Sequence, residues 1–454
     1  MKKHSVLKCL AAAVLLTACA HPVHKEVYIP RDLQEMDLND TASLYCWQRT
    51  VSSENVIVFW EKGFGDDLSK APEYKGHKMT VDVDRLLEQT EMFYQVYRDR
   101  MGFIRPGSKA DSLKMMIMLR YDDEGTAYGG DYDGTIGALW VTPLRTQDVR
   151  FNCIAHELGH CFQSQLCIDN SQPLNPESRN SVGIEIEEPV FTGGFAGGCI
   201  YEMTSQWMLW QVNPYWIDDE TYHWEAFMKQ THLAFMHPEN MYHSPYVLEY
   251  WSSKRGVPFI ADLWRAAAGR ADVVEVYQDF TGLSQEEFNA EMFDAAQHFV
   301  TYDLPRVKEV AAPYANRHSC EFEAPGADGW QRIAASRTPQ QYGYNAARLD
   351  IPSDGPVEVK VEFQAGTSAP EAGWRYGFVG VRSTGETVYG PMHSLAAGQA
   401  PGVAEFVSDV PLSYLWLVVT AAPSEHVSPE GWMPEYAEYP YSVRVTGASL
   451  PMAE

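Results

Sequence analysis

One feature limits the fold more than any other: the hydrophobic pattern changes near Pro313. Between residues 198 and 310, apolar side chains recur at the three- and four-residue spacing of amphipathic helices. Beyond Pro313 the apolar runs are short, rich in β-branched and aromatic residues, and separated by Gly, Pro, Ser or Asp. Examples are VEVKVEFQAG (357–366), LWLVVTA (415–421) and YSVRVTG (441–447). Such runs predict an antiparallel β-sandwich or jelly roll.

The residues before this change mix helix and strand signals. Helical spacing covers 81–103. Three short apolar runs have strand character: NVIVFW (55–60), SLKMMIML (112–119) and ALWVTP (138–143). Ahead of the third run, a turn-rich stretch is predicted by Gly129, Gly130, Gly134 and Gly137. A chain of 454 residues is too long for one ordinary core. The sequence therefore predicts an α+β protein, with a domain of mixed sheet and helices over 46–312 and a β-sandwich domain over 313–454.

The N-terminus has the composition of an export signal. Three lysines flank an apolar run at 10–16, and this run leads directly into LTAC (16–19). The order predicts a signal peptide over 1–18, and LTAC resembles the box at which bacterial lipoproteins are cleaved and lipidated. We therefore expect Cys19 to carry lipid in a bacterial cell envelope and 19–45 to form a tether. An ordinary secretory signal with an incidental cysteine is the alternative.

Charge and cysteine content narrow the possible partners. The formal net charge is −26 at pH 7, which disfavours binding to nucleic acid. No stretch after Cys19 reaches the roughly 18 apolar residues that a membrane-spanning helix needs, so we expect a soluble monomer that is held at the membrane by its lipid.

Exported proteins can form disulfides. Cys46 with Cys320 is one candidate pair, and buried free thiols are the alternative.

The helix predicted at 151–166, FNCIAHELGHCFQSQL, carries the strongest chemical signal. One apolar stripe is formed by Phe151, Ile154, Ala155, Leu158 and Phe162. His156 and His160 lie on another face, and residues four apart on a helix are neighbours, so both imidazoles can bind one tetrahedral Zn²⁺. Glu157 is turned about one residue around the helix and can reach a water on the metal without being a ligand. Two solvated or core histidines are the alternative.

Two histidines do not complete a catalytic zinc site, which normally has three protein ligands. The pattern HExxHxxGxxH fails here because Gln163 and Leu166 stand where it requires glycine and histidine. A carboxylate from a later element is the remaining common solution, and Glu202 in the predicted helix GCIYEMTSQWMLWQV (198–212) is the favoured candidate. Its competitors alternate in an extended segment that ends at Pro189: Glu185, Glu187 and Glu188.

An HExxH helix followed by a glutamate on a later helix resembles the gluzincin class of zinc metallopeptidases. Longer runs are similar to secreted bacterial lipoproteins of a family of unknown function, in which a zincin-like part precedes a β part. These runs are AYGGDYDGTIGALWVTPLR (127–145), AHELGHCFQ (155–163) and GGCIYEMTSQWMLW (197–210). The resemblance implies that Glu157 is the general base and that the strand at 138–141 aligns the substrate backbone.

Aromatic residues raise two further expectations. An oxyanion that forms during hydrolysis needs a hydrogen-bond donor, and four candidates lie near a predicted helix start: Tyr242, His243, Tyr246 and Tyr250. Ordinary aromatic packing is the alternative for each. In the β domain, Trp374 and Trp432 stand beside glycines, where packing is favoured over exposed sugar platforms, and Trp416 is expected in the core.

Together these features predict a lipid-anchored zinc metallohydrolase, a peptidase that acts on a peptide, protein or glycoprotein substrate. The contrasting hypothesis is a noncatalytic surface lipoprotein that keeps the zincin shape as a scaffold and binds glycan or protein. The intact His156, Glu157 and His160 favour the enzyme, because a scaffold needs none of them.

Overall fold

The computed structural model describes residues 24–170, 198–428 and 435–450. Several residues singled out above lie outside these ranges: Cys19, Glu185, Glu187, Glu188 and Trp432. Within the described residues no helix combines the length and the apolar character that a bilayer span requires.

A five-stranded mixed sheet forms the first part of the molecule. Its strands are β1 (Thr50–Ser52), β2 (Val56–Trp60), β3 (Met115–Leu119), β4 (Tyr128–Tyr132) and β5 (Ile136–Val141), in the spatial order β1-β2-β3-β5-β4. The three inner strands are parallel, and the two outer strands run antiparallel to their neighbours. Every residue of β2 and β3 is buried, which explains why these strands are continuous apolar runs in the sequence.

Helices pack against this sheet, and most of the chain between residues 152 and 311 that the structure describes is helical. They are α1 (Arg31–Gln34), α2 (Val83–Gln95), α3 (Asn152–Asn170), α4 (Gly198–Val212), α5 (Trp216–Asp219), α6 (Thr221–Gln230), α7 (Tyr246–Arg255), α8 (Phe259–Ala267), α9 (Val273–Thr281), α10 (Gln285–Thr301) and α11 (Lys308–Ala311). The helical spacing seen at 81–103 in the sequence corresponds to α2 and a π-helical turn that follows it. The first part of the molecule is therefore mixed α and β, as predicted.

The segment expected to form a tether is folded onto this part of the molecule from residue 24 onward. Glu26 pairs with Leu113 in a parallel bridge beside the start of β3. Leu33 is 1% exposed, and Leu38 and Tyr45 are also buried. Apart from the runs at 27–29 and 44–45, the apolar residues of this segment are separated by polar ones, so its sequence has no period that would reveal the packing. The part of 19–45 that the structure describes is thus not a free linker.

Two antiparallel sheets form the C-terminal part. The first contains β7 (Tyr344–Leu349), β9 (Gly373–Arg382), β10 (Thr387–Tyr389) and β13 (Leu412–Ala421) in the order β10-β9-β13-β7, with β11 (His393–Ala396) also pairing with β9. The second contains β6 (Gln331–Arg332), β8 (Val357–Ala365), β12 (Gly402–Ser408) and β14 (Tyr441–Thr446) in the order β12-β8-β14-β6. This arrangement confirms a sandwich-like β part.

Buried side chains decide three of the expectations. Trp374 and Trp416 are both fully buried, so packing is the correct interpretation for each. Trp374 donates a hydrogen bond from Nε1 to the backbone oxygen of Tyr439. Cys46 and Cys320 are buried free thiols, and the candidate disulfide between them is absent.

The helices and the outer face of the first sheet share one apolar core, and a second buried cluster fills the interior of the sandwich. Tyr344, Val379 and Trp416 point away from the sandwich interior and belong to the same buried cluster as the helices. On α10, Gln297 donates to the backbone oxygen of Phe378 in β9. We call the seam the contact of α9 and α10 with the outer face of β7, β9 and β13 and with the segment 422–428 that follows β13. Because of the seam, the first sheet of the sandwich is covered on both faces.

Candidate metal centre

The position of α3 beneath the mixed sheet depends on close backbone contacts. Its predicted apolar stripe is buried throughout: Phe151, Ile154, Ala155, Leu158 and Phe162. Gly129 on β4 lies so close to α3 that a β-carbon there would overlap the backbone oxygen of Glu157. The outer strand of the sheet can therefore run directly over the HExxH turn only because residue 129 has no side chain.

The opposite face of α3 packs against α4 and not against solvent. A β-carbon at Gly159 would overlap Oγ of Ser205 on α4, so the two helices cross almost without intervening side chains. The Ser205 hydroxyl also donates a hydrogen bond to the backbone oxygen of His156. Glu202 precedes Ser205 by three residues and therefore lies on the same face of α4, directed at α3. Close helix packing thus positions the carboxylate beside the two imidazoles.

Three side chains converge where the helices cross. One carboxylate oxygen of Glu202, Oε2, lies 3.0 Å from Nε2 of His156 and 3.2 Å from Nε2 of His160, and the two Nε2 atoms are 3.1 Å apart. A regular tetrahedron with edges of this length has its centre about 1.9 Å from each corner, close to the roughly 2.0 Å bonds of zinc to nitrogen and oxygen. The donor set His156, His160 and Glu202 therefore fits a small tetrahedral cation and leaves a fourth position for another ligand.

The charges in this cluster favour a cation among the three groups. Burial alone would raise the pKa of Glu202, but the hydrogen bonds and charges of the two imidazoles hold it well below its usual range. Burial alone would lower the pKa of His160, but the hydrogen bond and charge of Glu202 outweigh it and raise this pKa to about 9. The cluster thus attracts positive charge, and a proton and a metal ion compete for the same place.

Two glutamines contact the far sides of the ligand rings. Oε1 of Gln206 lies 3.1 Å from Nδ1 of His156, and Oε1 of Gln163 lies 2.9 Å from Nδ1 of His160. Both glutamines are buried. Imidazoles that bind metals usually have such a partner at their second nitrogen. The sequence does not predict these contacts, because they depend on how the helices cross.

Glu157 lies next to the cluster without contributing to the donor set. It is 8% exposed. Burial and then the nearby Glu157 carboxylate raise the pKa of the Cys153 thiol, one turn earlier on α3. The same carboxylate contributes to the raised pKa of His160. The charge of Glu157 therefore acts on the groups of the cluster.

The structure separates the four candidate oxyanion donors. Tyr246 is fully buried among aromatic rings, and the Tyr250 hydroxyl donates to Asp294, so packing and structural hydrogen bonding account for both. His243 contacts His223 through Nδ1 at 2.6 Å. Tyr242 alone of the four is an exposed residue, at 39%, and its ring centroid is 6.0 Å from that of His156. Burial and the Glu202 carboxylate raise the pKa of Tyr242, which keeps its hydroxyl protonated and able to donate.

The strand expected to align a substrate, 138–141, is in the interior of the sheet. It belongs to β5, which pairs with β3 on one side and with β4 on the other. Its backbone groups are already used in these ladders, so it cannot pair with a substrate as the resemblance implied. The outer strand next to the metal centre is β4, a stretch that its glycines marked as turns in the sequence.

Comparison with known families identifies where the chain belongs. A family profile matches residues 19–452, and the chain is a member of the family described as "Family of unknown function (DUF6055)". This membership agrees with the similarity to a family of unknown function that the sequence suggested. No curated protein matches the chain.

Two solved structures show distant likeness. The structure titled "ZmpB metallopeptidase from Clostridium perfringens" is 13% identical, with a TM-score of 0.30, over 80% of this chain and 68% of that chain. The structure titled "CBM4 structure and function" is 7% identical, with a TM-score of 0.17, over 29% of this chain and 76% of that chain. Both TM-scores are too low to decide fold or activity.

Proposed function

We propose that this protein is a zinc-dependent metallohydrolase, and specifically a peptidase that hydrolyses amide bonds. One observation carries the proposal: donor atoms of His156, His160 and Glu202 all lie within 4.8 Å of one another, at a crossing of two buried helices. Two imidazoles and one carboxylate are a common ligand set of catalytic zinc. Glu157 stands beside them in the position of a general base.

Zinc, when bound, would supply a Lewis acid that acidifies water and polarises a carbonyl group. Glu157 would accept the proton of the attacking water and later return it to the leaving amine. The Tyr242 hydroxyl would donate a hydrogen bond to the oxyanion as it forms. An extended substrate would pair with the outer strand β4, because β5 has no free ladder. Each of these roles falls to a side chain or strand that borders the same cluster.

The surroundings that we propose follow from the N-terminal sequence. Lipid on Cys19 would hold the protein at a membrane of a bacterial cell envelope. The substrate class is a peptide, protein or glycoprotein, and nucleic acid is disfavoured by the net charge of −26. The alternative of a noncatalytic glycan- or protein-binding lipoprotein gains nothing from Trp374, which is fully buried and offers no stacking surface.

Metal analysis of the mature protein tests the proposal. The protein is stripped with a chelator, exchanged into zinc-containing buffer, and freed of excess metal. We expect about one zinc per chain, and loss of that zinc in His160→Ala, because two remaining ligands hold the ion far less tightly than three. Absence of stoichiometric zinc in the wild type would contradict the proposal.

The variant Glu157→Gln separates metal binding from hydrolysis. Glutamine has nearly the same shape as glutamate but cannot accept the proton of water. We expect zinc content to be unchanged and hydrolysis of a peptide library to fall by about 10²- to 10⁴-fold, which is the usual contribution of a general base. Full turnover in Glu157→Gln would exclude Glu157 as the base.

A further inference from the structure

The hydrogen-bond partners of the two glutamines determine where the ligand rings carry their protons. Nε2 of Gln206 lies 2.9 Å from the backbone oxygen of Tyr242, and Nε2 of Gln163 lies 2.9 Å from the backbone oxygen of Tyr201. A backbone carbonyl can only accept a hydrogen bond. Each amide must therefore turn its NH₂ group towards the carbonyl, which leaves its own oxygen facing the imidazole.

The direction of the remaining hydrogen bonds then follows. An amide oxygen also only accepts, so Nδ1 of His156 and Nδ1 of His160 must each carry a hydrogen that is donated to glutamine. The nitrogen left for a metal is Nε2 in both rings. These are the two atoms that lie 3.1 Å apart beside Glu202. Two backbone carbonyls, each acting through a glutamine, thus orient both rings for the same ion.

Gln206 is held more firmly than Gln163. Its Nε2 also lies 3.2 Å from Nε2 of His223, which must accept the second N–H of the amide. His223 therefore carries its hydrogen on Nδ1, which is directed at Nδ1 of His243 at 2.6 Å. Burial lowers the pKa of His223 to about 3, consistent with a neutral ring that can accept. His223 is 8% exposed, so its contact with Gln206 is shielded from water.

We propose that Gln163 and Gln206 are positioning residues which fix the proton and orientation of the two metal-binding imidazoles, and that His223 reinforces Gln206. This inference rests on the proposed metal function of the cluster. Both glutamines are uncharged. Among the residues that the structure describes, the carboxylate of Glu202 is then the only negative charge within hydrogen-bond distance of the two rings, so a bound dication would keep much of its positive charge for polarising a substrate.

Paired substitutions at the two glutamines test the inference. Methionine is about as long as glutamine but accepts no strong hydrogen bond, whereas glutamate retains the oxygen that faces Nδ1. We expect Gln163→Met and Gln206→Met to weaken zinc binding by about 10- to 100-fold, with the larger loss at Gln206. We expect Gln163→Glu and Gln206→Glu to lose less than about tenfold, because the oxygen that faces Nδ1 is kept while the second oxygen meets a backbone carbonyl that cannot donate to it. Competition with a chromogenic chelator measures these affinities.

A matched control is available on α3. Gln165 is also fully buried, and it accepts from the backbone N–H of Gly137 and donates to Asp169, away from the ligand rings. Gln165→Met should lower the unfolding temperature of the metal-free protein to a similar degree as Gln163→Met, without changing zinc affinity. If Gln165→Met loses as much zinc affinity as Gln163→Met, general destabilisation would explain both losses, and the inference would be overturned.

Cobalt provides a second readout that does not depend on activity. In protein loaded with Co²⁺, the N–H of an imidazole bound through Nε2 gives a strongly shifted proton signal that disappears in D₂O. We expect two such signals in the wild type, loss of one of them in each methionine variant through faster exchange with water, and both in the glutamate variants. Wild-type signals and wild-type affinity in the methionine variants would overturn the proposal.

The outcomes also distinguish this inference from the proposed enzyme. Zinc binding with the expected glutamine effects, but without hydrolysis of any peptide, would support the inference and contradict the peptidase. Hydrolysis that is unaffected by either methionine substitution would support the peptidase and contradict the inference. A wild type that binds no metal would contradict both.

Discussion

The helix pair α3 and α4 and the strand pair β9 and β13 are both buried on two sides, yet they bury different chemistry. On the helices the buried polar side chains include Asn152, His156, Glu157, Gln163, Gln165, Thr204, Ser205, Gln206 and Gln211. On the two strands they are Arg375 and Thr420. A buried polar group costs free energy unless it is hydrogen-bonded. The helices therefore bury polar groups that are hydrogen-bonded around the metal centre, whereas the strands contribute mainly apolar contacts to the seam.

This difference indicates a division of labour between the two regions. In the proposed function the helix crossing would provide the chemistry, and the sandwich would stabilise the helices through the seam. A substitution in the sandwich that lowers zinc affinity, or a substitution at the metal centre that lowers only stability, would contradict this division. The following predictions run from the largest expected effect to the smallest.

Removing the sandwich should have the largest effect. A chain that ends at residue 312 lacks the side chains that complete the core of the helices, such as Tyr344, Val379 and Trp416. One large buried apolar side chain contributes about 1.5–3 kcal/mol, so losing several approaches the whole stability of a domain, about 5–15 kcal/mol. We expect no cooperative thermal unfolding by circular dichroism. A soluble, cooperatively unfolding fragment would show that the seam is dispensable.

Glu202→Ala should act on the metal and not on the fold. It removes one of three ligand side chains, so we expect zinc affinity to fall by at least about a hundredfold. The unfolding temperature of the metal-free protein should change little. The matched change in the sandwich is Trp374→Phe, which removes a buried hydrogen bond and should lower the unfolding temperature with zinc affinity unchanged. If both variants lose zinc equally, the division of labour is wrong.

Tyr242→Phe tests the oxyanion donor. The ring remains and only the hydroxyl is lost, so zinc affinity and KM should stay near wild-type values while kcat falls by about a hundredfold. Tyr250→Phe is a suitable comparison, because its hydroxyl is bonded to Asp294 on the other side of the helical part. An equal loss of kcat in both variants would assign the effect to packing.

Asp272→Asn should give the smallest effect, and one that depends on pH. Asp272 caps α9 and pairs with His426 across the seam at 2.8 Å. Burial opposes its charge, but the bond and charge of His426 outweigh it and lower its pKa. Its contribution is therefore present above about pH 4 and is lost as the pH falls further.

Asparagine retains the helix cap and removes only the charge. The variant should be about 1 kcal/mol less stable near pH 6, and the difference from the wild type should shrink below pH 4 in urea titrations. A difference that stays constant from pH 6 to pH 3 would show that the ion pair does not stabilise the seam.

Local features of the metal centre could be predicted from the sequence. The four-residue spacing of His156 and His160 and the helical face of Glu202 are properties of single helices, and a motif reveals them. The contacts of Gln163 and Gln206 are properties of the helix crossing. That crossing depends on Gly159 and Ser205, whose proximity arises only in the folded chain. The small size of these two residues could have indicated a close helix crossing, but many helices that make no such crossing also contain small residues.

Two errors of sequence reasoning have a common cause. The strand β4 was hidden because Gly129 and Gly130 usually mark turns, whereas here Gly129 is needed for the passage over α3. The packing of Leu33 was hidden because its neighbours are polar. In the seam, Trp416 was correctly expected to be buried, but it belongs to the apolar cluster of the helices and not to the interior of the sandwich. In each of these places the structure depends on contacts between residues that are distant in the sequence, which a local pattern does not show.

The close approach of Gly159 to Ser205 limits how far the three donor side chains can stand apart, and therefore how large an ion they can hold. Nothing compressible separates the two backbones, and the carboxylate is fixed to one of them while both rings are fixed to the other. An ion that prefers bonds of about 2.3–2.6 Å, as calcium does, would have to lever the backbones apart. In the proposed metal site, the absence of a side chain at Gly159 would thus favour a small ion over a large one.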